Sequence, residues 1–189
     1  NALLIDTPHG KIFHTGDWKL DEEPLVGLPA TAAELTAIGD EGVLALVCDS
    51  TNVMKAGRSG SEDALLQPLT DLIGQCRKRV FVACFATNVA RLGTLAMAAR
   101  ACGRDVVVTG MSLKRNYLAA RECGYLNDVP AFIDDAAAQR LKPERTLVIC
   151  TGAQGEQRGA LAKLANDAHP NLKLESGDTV IFSSRVIPG

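Results

Sequence analysis

From residue 43 to the end, the chain alternates short apolar runs with longer amphipathic stretches. The apolar runs have the length and composition of buried β-strands, and the stretches between them show the spacing of amphipathic helices. This alternation predicts an α/β fold, a mostly parallel sheet with helices on both faces. The predicted strands are residues 43–48, 80–85, 105–109, 146–151 and 179–184, and the predicted helices are 61–76, 88–102, 112–123, 134–141 and 156–165.

The first 42 residues follow a different pattern. Residues 3–7 and 11–14 have the composition of two strands joined by a turn at His9 and Gly10, which predicts a β-hairpin. A connecting stretch with two prolines follows the hairpin, and Thr31 with Glu34 forms a capping-box pattern within it. We therefore expect a hairpin, a connector and a short helix over residues 31–38 to precede the α/β part.

Composition narrows the class of protein without indicating a substrate. The chain has 189 residues, of which 47% are hydrophobic and 22% charged, as is typical of a soluble domain with a sizeable core. It contains no apolar run of membrane-spanning length and no signal-peptide pattern at its start, so we expect a cytoplasmic protein with no membrane partner. The six cysteines include no Cys-x-x-Cys pair, which favours reduced thiols over disulfides or a cysteine zinc site.

The charge balance does not by itself indicate nucleic-acid binding. The net charge is −2, whereas nucleic-acid-binding domains usually carry a basic excess. Any positive surface must therefore be local, with residues 77–79 and 114–115 as candidates. Ordinary solvated charge explains these two groups nearly as well.

Small and hydroxylic residues follow the predicted strands. Ligands of parallel sheets gather at the carboxyl ends of the strands, where backbone N–H groups and helix N-termini bind phosphates. The same residue types are also the loop and cap residues that any α/β domain needs, so both interpretations stand. The segments concerned are residues 49–52, 86–88, 110–112, 151–156 and 183–184.

Asp17 is a candidate metal ligand. It follows Thr15 and Gly16 just past the second predicted strand, where a carboxylate leaves the sheet exposed and can bridge two metal ions. An aspartate after a Thr-Gly pair is also a common turn or helix-cap residue. The local sequence is compatible with either role.

Five segments of the chain carry a resemblance to a known family. They are residues 14–19, 48–52, 85–91, 151–156 and 177–184, followed by Ile187-Pro188-Gly189. Taken in this order, they resemble the β-CASP branch of the metallo-β-lactamase superfamily. Within that branch the resemblance is to the RNase J family, and it extends from Leu3 to Gly189. It implies a β-CASP domain over residues 43–189, truncated at its C-terminal end. Residues 1–42 would be a piece of the metallo-β-lactamase domain, including the hairpin, with a connector and a tag remnant at residues 1–2.

The resemblance also implies a metal-dependent ribonuclease. Such an enzyme holds two metal ions, zinc with manganese or magnesium as alternatives, and Asp17 would be the catalytic residue that bridges them. The family takes further ligands from a His-x-His-x-Asp-His loop and from downstream histidines. The three histidines here, His9, His14 and His169, lack that spacing and are interpreted as turn, hairpin and loop residues. We expect a fragment that binds no metal and has no nuclease activity alone.

The resemblance implies that the substrate is single-stranded RNA with a 5′ monophosphate, cleaved from the 5′ end or internally. The parent, meaning the longer protein of which this chain would be a piece, would be a homodimer or tetramer. Asp49 matches the acidic residue of the first β-CASP motif, where it would orient a histidine or a phosphate-binding group unless it is a turn carboxylate. Arg91 would bind a phosphate bidentately. Glu156 would bind RNA or cap the following helix. The expected RNA- or phosphate-binding residues are Asp49, Ser50, Thr51, Thr87, Asn88, Arg91, Ser112, Gln154, Glu156, Ser183 and Ser184.

Two departures from the family pattern weaken individual contacts. Met111 stands where the family commonly has the arginine of Gly-Arg-Ser, next to Ser112, and Ala153 replaces a common serine. Three alternatives stay open. One is a non-catalytic RNA- or phosphate-binding regulatory module, and another is a β-CASP enzyme that acts on DNA or on a messenger RNA 3′ end. The third, an unrelated α/β nucleotide-binding domain, is disfavoured because the chain lacks Gly-x-Gly-x-x-Gly after its first strand and a Walker lysine.

Overall fold

A computed structural model describes residues 2–57 and 60–185, and its contacts divide the chain into two units, Asn1–Asp63 and Ala64–Gly189. The first unit contains a three-stranded sheet and one helix. Its strands are arranged in the order β1-β2-β3, with β1 and β2 antiparallel and β2 and β3 parallel. The elements are β1 (Leu3–Thr7), β2 (Gly10–His14), α1 (Ala32–Asp40) and β3 (Val43–Val47).

The predicted hairpin and the predicted capping box are both present in this unit. Leu3 pairs with His14 across the hairpin, and Thr7 pairs with Gly10 beside the turn. The Thr31 hydroxyl accepts a hydrogen bond from the Glu34 N–H, while the Glu34 carboxylate accepts one from the Thr31 N–H. These two bonds satisfy backbone donors at the start of α1, which explains why the helix begins there.

The prediction that residues 43–48 form a buried strand of the parallel α/β sheet is wrong. The strand exists as β3, but it pairs with β2 of the hairpin, and most of its side chains are exposed in the first unit. An apolar run indicates a strand without indicating which sheet it joins. The expected domain division between residues 42 and 43 stays a prediction.

The second unit is built on a sheet of five parallel strands in the order β6-β5-β7-β4-β8. This arrangement confirms the predicted α/β class. A 3₁₀ turn (Asp63–Leu65) precedes its first helix, and two more 3₁₀ segments (Asp135–Arg140 and Pro143–Arg145) lie between β6 and β7. The main elements are α2 (Leu66–Gly74), β4 (Val80–Ala83), α3 (Val89–Ala101), β5 (Asp105–Thr109), α4 (Met111–Glu122), β6 (Ile133–Asp134), β7 (Thr146–Cys150), α5 (Ala160–Ala165) and β8 (Thr179–Phe182).

The side chains of the central strands alternate between two hydrophobic cores. On one face Val80, Val82 and Ile149 pack with residues of α2, α3 and α4. On the other face Phe81 and Val148 pack with Leu164 of α5 and with nearby loop residues. Because successive side chains of a strand point to opposite faces, these four-to-five-residue strands are buried on both sides. Helices therefore cover both faces of the sheet, as the sequence predicts.

Several details differ from the sequence-based expectation. Helix α2 begins at Leu66 and ends at Gly74, whereas a helix over residues 61–76 was predicted. Residues 135–140 form a 3₁₀ segment instead of a longer helix, and β6 was not predicted. Helix α5 begins at Ala160 instead of residue 156, because the preceding loop contains Gly155 and Gly159. In the part of the chain that the structure describes, no helix combines the length and apolarity needed to cross a membrane.

Candidate nucleic-acid interface

The carboxyl ends of β4, β7 and β8 bring three predicted site segments to one edge of the sheet. Ala83, the last residue of β4, pairs with Cys150 of β7 and with Phe182 of β8. Parallel strands in register end together, so the segments that follow them meet at this edge. We call residues 85–91, 153–156 and 182–185 the strand-end surface. It contains Thr87, Asn88, Arg91, Gln154, Glu156, Ser183 and Ser184.

Arg91 connects the start of α3 to the end of β8. The Asn88 side-chain oxygen accepts a hydrogen bond from the Arg91 N–H at 3.0 Å and so caps α3. The Arg91 guanidinium Nη1 donates to the Ser183 carbonyl at 2.9 Å and to the Ser183 hydroxyl at 2.6 Å. Arg91 therefore fixes the position of Ser183, and its contact with a phosphate stays a prediction.

The loop after β7 is tied to the residues that follow β8. The Gln154 side-chain amide donates to the Arg185 carbonyl at 2.7 Å, and the Ser184 hydroxyl donates to the Ala153 carbonyl at 3.1 Å. The Glu156 carboxylate accepts a hydrogen bond from the Gln154 N–H at 2.8 Å. Gln154, Glu156 and Ser184 thus belong to one ordered group, and their contacts with RNA stay predictions.

The alternative that Glu156 caps the following helix is wrong. Helix α5 begins four residues later, and Thr151 supplies its cap from the end of β7. The Thr151 hydroxyl accepts from the Ala160 N–H at 2.9 Å, and its carbonyl accepts from the Leu161 N–H at 2.9 Å. One residue therefore satisfies two backbone donors at the start of α5.

Two aromatic rings at the strand-end surface were not among the predicted site residues. Phe85 follows β4 and is 40% exposed, and Phe182 ends β8 and is 61% exposed. Exposed aromatic rings on which bases stack are a common feature of proteins that bind single-stranded nucleic acids. The available signal was their position in the sequence, because each phenylalanine lies at the end of an apolar run, just before a polar segment begins.

A cavity of about 590 Å³ lies beside this surface, at the carboxyl ends of β5 and β7. We call it the Thr109 cavity. Ser112 lies here, where it belongs to the first turn of α4, and not with Arg91 and Ser183. Its wall also includes Thr109, Lys114, Arg115, Asp135, Arg158, Lys163, His169 and Asn171.

Asp135 is the buried centre of a polar network in the cavity wall. It is only 5% exposed, and its carboxylate accepts hydrogen bonds from Lys114 Nζ at 2.8 Å, from Asn171 Nδ2 at 3.1 Å and from the Thr109 hydroxyl. Burial disfavours the charged carboxylate, but these three donors outweigh it and lower the pKa of Asp135. The group is therefore an anion at neutral pH.

His169 completes this network, although it was interpreted from the sequence as a loop residue. Its Nδ1 accepts hydrogen bonds from the Asn171 N–H at 3.2 Å and the Leu172 N–H at 3.1 Å. The proton of the neutral ring is therefore on Nε2, which lies 2.8 Å from the Thr109 hydroxyl. Burial lowers the pKa of His169, and the charges of Lys163 and Lys114 lower it further against the opposing effect of Asp135.

The remaining predicted residues lie in the first unit. Asp17 is exposed in a bend, and Ser50 and Thr51 are exposed after β3. The Asp49 carboxylate accepts hydrogen bonds from the Thr51 hydroxyl at 2.5 Å and from the Thr51 N–H at 2.9 Å, and these bonds lower the pKa of Asp49. Asp49 thus has the geometry of a turn carboxylate.

The donors around Asp17 do not fit a pair of metal ions. Within residues 2–57 and 60–185, no group of three or more histidine, cysteine, aspartate or glutamate side chains is placed to hold a metal. A two-metal site needs several ligands held by neighbouring groups, and a lone exposed carboxylate does not supply them.

Comparison with known proteins identifies the family. Residues 77–189 match the model of the Ribonuclease J beta-CASP domain. The whole chain is 44% identical to part of Ribonuclease J of Sinorhizobium meliloti and covers 33% of that protein's length. It is 44% identical to Ribonuclease J of Mycolicibacterium smegmatis and 42% identical to Ribonuclease J 1 of Streptococcus pyogenes, again over the whole chain and 34% of each relative. The chain spans about a third of these relatives, and it belongs to the Ribonuclease J family, with the beta-CASP domain over residues 77–189.

Proposed function

We propose that this chain is the RNA-binding β-CASP portion of a metal-dependent ribonuclease of RNA processing and decay. The matched relatives are named Ribonuclease J, and the chain covers about a third of their length. The ribonuclease activity proposed here is therefore that of a longer protein that contains this chain. The proposed substrate is single-stranded RNA with a 5′ monophosphate, hydrolysed from its 5′ end or internally in the cytoplasm. The proposed parent is a homodimer or tetramer that holds two zinc ions or other divalent metals.

The strand-end surface is the observation that carries the RNA-binding part of this proposal. Phe85 and Phe182 are exposed at the same edge as the ordered polar group of Asn88, Arg91 and Ser183. Aromatic faces stack with bases of any sequence, while hydroxyl and guanidinium groups bind the phosphates between them. This combination suits a single strand whose bases are accessible, because the bases of a duplex are already stacked on one another.

The first test replaces Phe182 with alanine and measures RNA affinity. Base–aromatic stacking contributes about 1–3 kcal/mol per base, so we expect Phe182→Ala to raise the Kd for a short 5′-phosphorylated single-stranded RNA by roughly tenfold. Fluorescence anisotropy of a labelled oligomer gives the Kd. Phe182 is 61% exposed, so its truncation should not unfold the domain.

Leu118→Ala is the matched control for this measurement. Leu118 is 59% exposed on α4, and its substitution removes a similar apolar surface away from the strand-end surface. We expect the Leu118→Ala Kd to stay within about twofold of the original, because no stacked base is lost. Equal effects of the two substitutions, or no RNA binding by the unaltered chain, would contradict the proposed interface.

We also propose that the chain alone has no nuclease activity. Asp17 is the residue that the family resemblance assigns to the metals, and the sequence contains no His-x-His-x-Asp-His loop to accompany it. A 5′-labelled RNA incubated with the purified chain and either Zn²⁺ or Mn²⁺ should remain intact. Metal-dependent cleavage that disappears in Asp17→Asn would refute this expectation and assign a catalytic role to Asp17.

A further inference from the structure

A second cavity opens at the edge of the five-stranded sheet opposite the strand-end surface. Its volume is about 210 Å³, and we call it the Arg104 pocket. Val106 lies near the start of β5, Ile133 begins β6, and Arg145 directly precedes β7, so the pocket lies at the amino ends of these strands. Because the strands are parallel, their carboxyl ends and the strand-end surface lie at the other edge. The Arg104 pocket is therefore separate from the proposed RNA interface.

Much of the pocket wall is apolar. Ala96 of α3 is only 1% exposed and so lies at the bottom of the pocket, while Pro130 and Ala131 are exposed and lie at its rim. Burial of an apolar group against such a wall is favourable, because it removes the group from water. The apolar residues of the wall are Ala96, Val106, Pro130, Ala131 and Ile133.

The same wall carries an excess of positive charge. Three arginines and one aspartate line the pocket, and within residues 2–57 and 60–185 none of these four side chains forms an ion pair. Three guanidinium groups against one carboxylate leave two positive charges in excess, in a protein whose net charge is −2. The four residues are Arg100, Arg104, Asp105 and Arg145.

Arg104 holds the most deeply buried of these charges. The residue is 7% exposed, and its guanidinium donates to the backbone carbonyls of Lys78 at 2.7 Å, of Thr146 at 3.3 Å and of Cys76. These carbonyls satisfy N–H donors, but they do not cancel the positive charge. A buried charge is screened less by water than an exposed one, so it attracts an anion into the pocket more strongly.

The size of the pocket limits how an apolar group and an anion can be combined in one ligand. A volume of about 210 Å³ lies below the range of about 300–1,000 Å³ for small-molecule sites, so the part of the ligand that enters it is about as large as one amino-acid residue. A single residue carries both an apolar side chain and a carboxylate when it is the C-terminal residue of a polypeptide. A free amino acid also carries an ammonium group, which a positive pocket repels. The peptide nitrogen of a chain end is neutral, so the pocket suits a chain end better.

We propose that the Arg104 pocket binds the C-terminal residue of a partner polypeptide. The apolar side chain of this residue lies against Ala96 and Ile133. Its terminal carboxylate lies between the guanidinium groups of Arg100 and Arg145, since arginine binds carboxylates in a bidentate geometry. Capture of a C-terminal carboxylate is a recurring mode of peptide recognition. The inference does not rest on the proposed function, because the pocket and the strand-end surface lie at opposite edges of the sheet.

The test is a titration of the 189-residue chain with the peptide acetyl-Gly-Gly-Leu, followed by the amide NMR signals. We expect this peptide to shift the signals of Gly103, Asp105 and Ala131, which line the pocket. Its C-terminal amide lacks the negative charge, and acetyl-Gly-Gly-Gly lacks the apolar side chain. Each of these two peptides should bind at least about tenfold more weakly than acetyl-Gly-Gly-Leu.

Substitution of the two exposed arginines tests which side chains bind the carboxylate. Arg100→Ala and Arg145→Ala should each raise the Kd for acetyl-Gly-Gly-Leu by roughly tenfold, since each removes a charge-assisted contact. Both side chains are exposed, so these substitutions should leave the fold intact.

Arg77→Ala is the matched control, because Arg77 is an exposed arginine that precedes β4 at the same edge of the sheet but lies outside the pocket wall. Its Kd for acetyl-Gly-Gly-Leu should not change. The inference is overturned if the three peptides bind equally, if none of them shifts a signal at millimolar concentration, or if the pocket variants behave like Arg77→Ala.

Two further ligands decide whether the pocket recognises a chain end or another anion. Leucine should bind more weakly than acetyl-Gly-Gly-Leu, and equal or tighter binding of leucine would overturn the inference in favour of a free amino acid. A 5′-phosphorylated RNA oligomer should leave the bound peptide in place. Displacement of the peptide by this oligomer would overturn the inference in favour of a nucleic-acid site. RNA binding at the strand-end surface is measured separately, so the failure of one proposal does not affect the other.

Discussion

Replacing Gly159 with alanine is expected to destabilise the second unit by about 3 kcal/mol, at the upper end of the range for overpacked sites. A Cβ atom at this position would lie 2.7 Å from the Gly152 Cα and 2.9 Å from the Glu156 carbonyl oxygen. Both are backbone atoms that cannot rotate away, so the loop between β7 and α5 must shift. The shift would also separate the Ala160 N–H from the Thr151 hydroxyl that caps it.

Urea unfolding followed by circular dichroism measures this change, and Gly74→Ala is its matched control. Gly74 is also a helix-associated glycine of the second unit, but a Cβ there would meet only the Cys102 Sγ at 3.7 Å, an ordinary contact. We expect this control to be neutral or stabilising by up to about 1 kcal/mol, because alanine favours a helix over glycine. Equal losses in the two variants would refute the close approach of Gly159 to Gly152.

Asp135→Ala is the second large effect, and we expect a loss of about 2–3 kcal/mol in the free energy of unfolding. The substitution leaves the buried Thr109 hydroxyl without its acceptor and deprives Lys114 of one of its two carboxylates. The loss should lie below that of a fully buried ion pair, because Lys114 is partly exposed and keeps Asp134. Asp134→Ala is the comparison, since Asp134 is exposed and its loss removes one surface ion pair with Lys114 and the cap of the Ala136 N–H, which together should cost about 1 kcal/mol.

The pH dependence of unfolding gives an independent measurement on the same variant. The pKa of Asp135 is lower in the folded protein than in the unfolded chain, where it is about 3.9. The carboxylate therefore stabilises the fold fully above that value, and this contribution is lost as the pH falls through the folded pKa. We expect the original chain to lose more stability than Asp135→Ala between about pH 5 and pH 2. Parallel profiles would contradict the role assigned to this carboxylate.

Local periodicity was sufficient to predict most of the strands and helices of the second unit, but not all of them. Residues 105–109 were predicted and observed as a strand with the same bounds, because Val106, Val107 and Val108 form a short apolar run between polar residues. The strand β6 has only two residues and is defined by its pairing with β5, so no local sequence pattern predicts it. The sequence of β3 likewise does not indicate which sheet this strand joins, because its pairing with β2 depends on contacts with residues far away in the chain.

The sequence was sufficient to predict those residues of the candidate site that directly follow a strand. Thr87, Asn88, Gln154 and Ser183 follow strands, and parallel pairing in register brings strand ends to one edge. His169 could not be found in this way, because its partner Thr109 lies 60 positions away and belongs to another element. The cations of the Thr109 cavity likewise come from α4, α5 and the loop before α5, and each is unremarkable in its own segment.

The order of the strands has a consequence for synthesis on the ribosome. Of the strands of the second unit, β4 and β5 are synthesised first, yet β7 lies between them, and the other neighbour of β4 is β8. Neither β4 nor β5 can pair with β7 until residues 146–150 have left the exit tunnel. The other edge of β4 stays unpaired until β8, which begins at Thr179, has also emerged. Such distant pairings make folding slow and leave open strand edges on the nascent chain, which a chaperone has time to bind before the sheet closes.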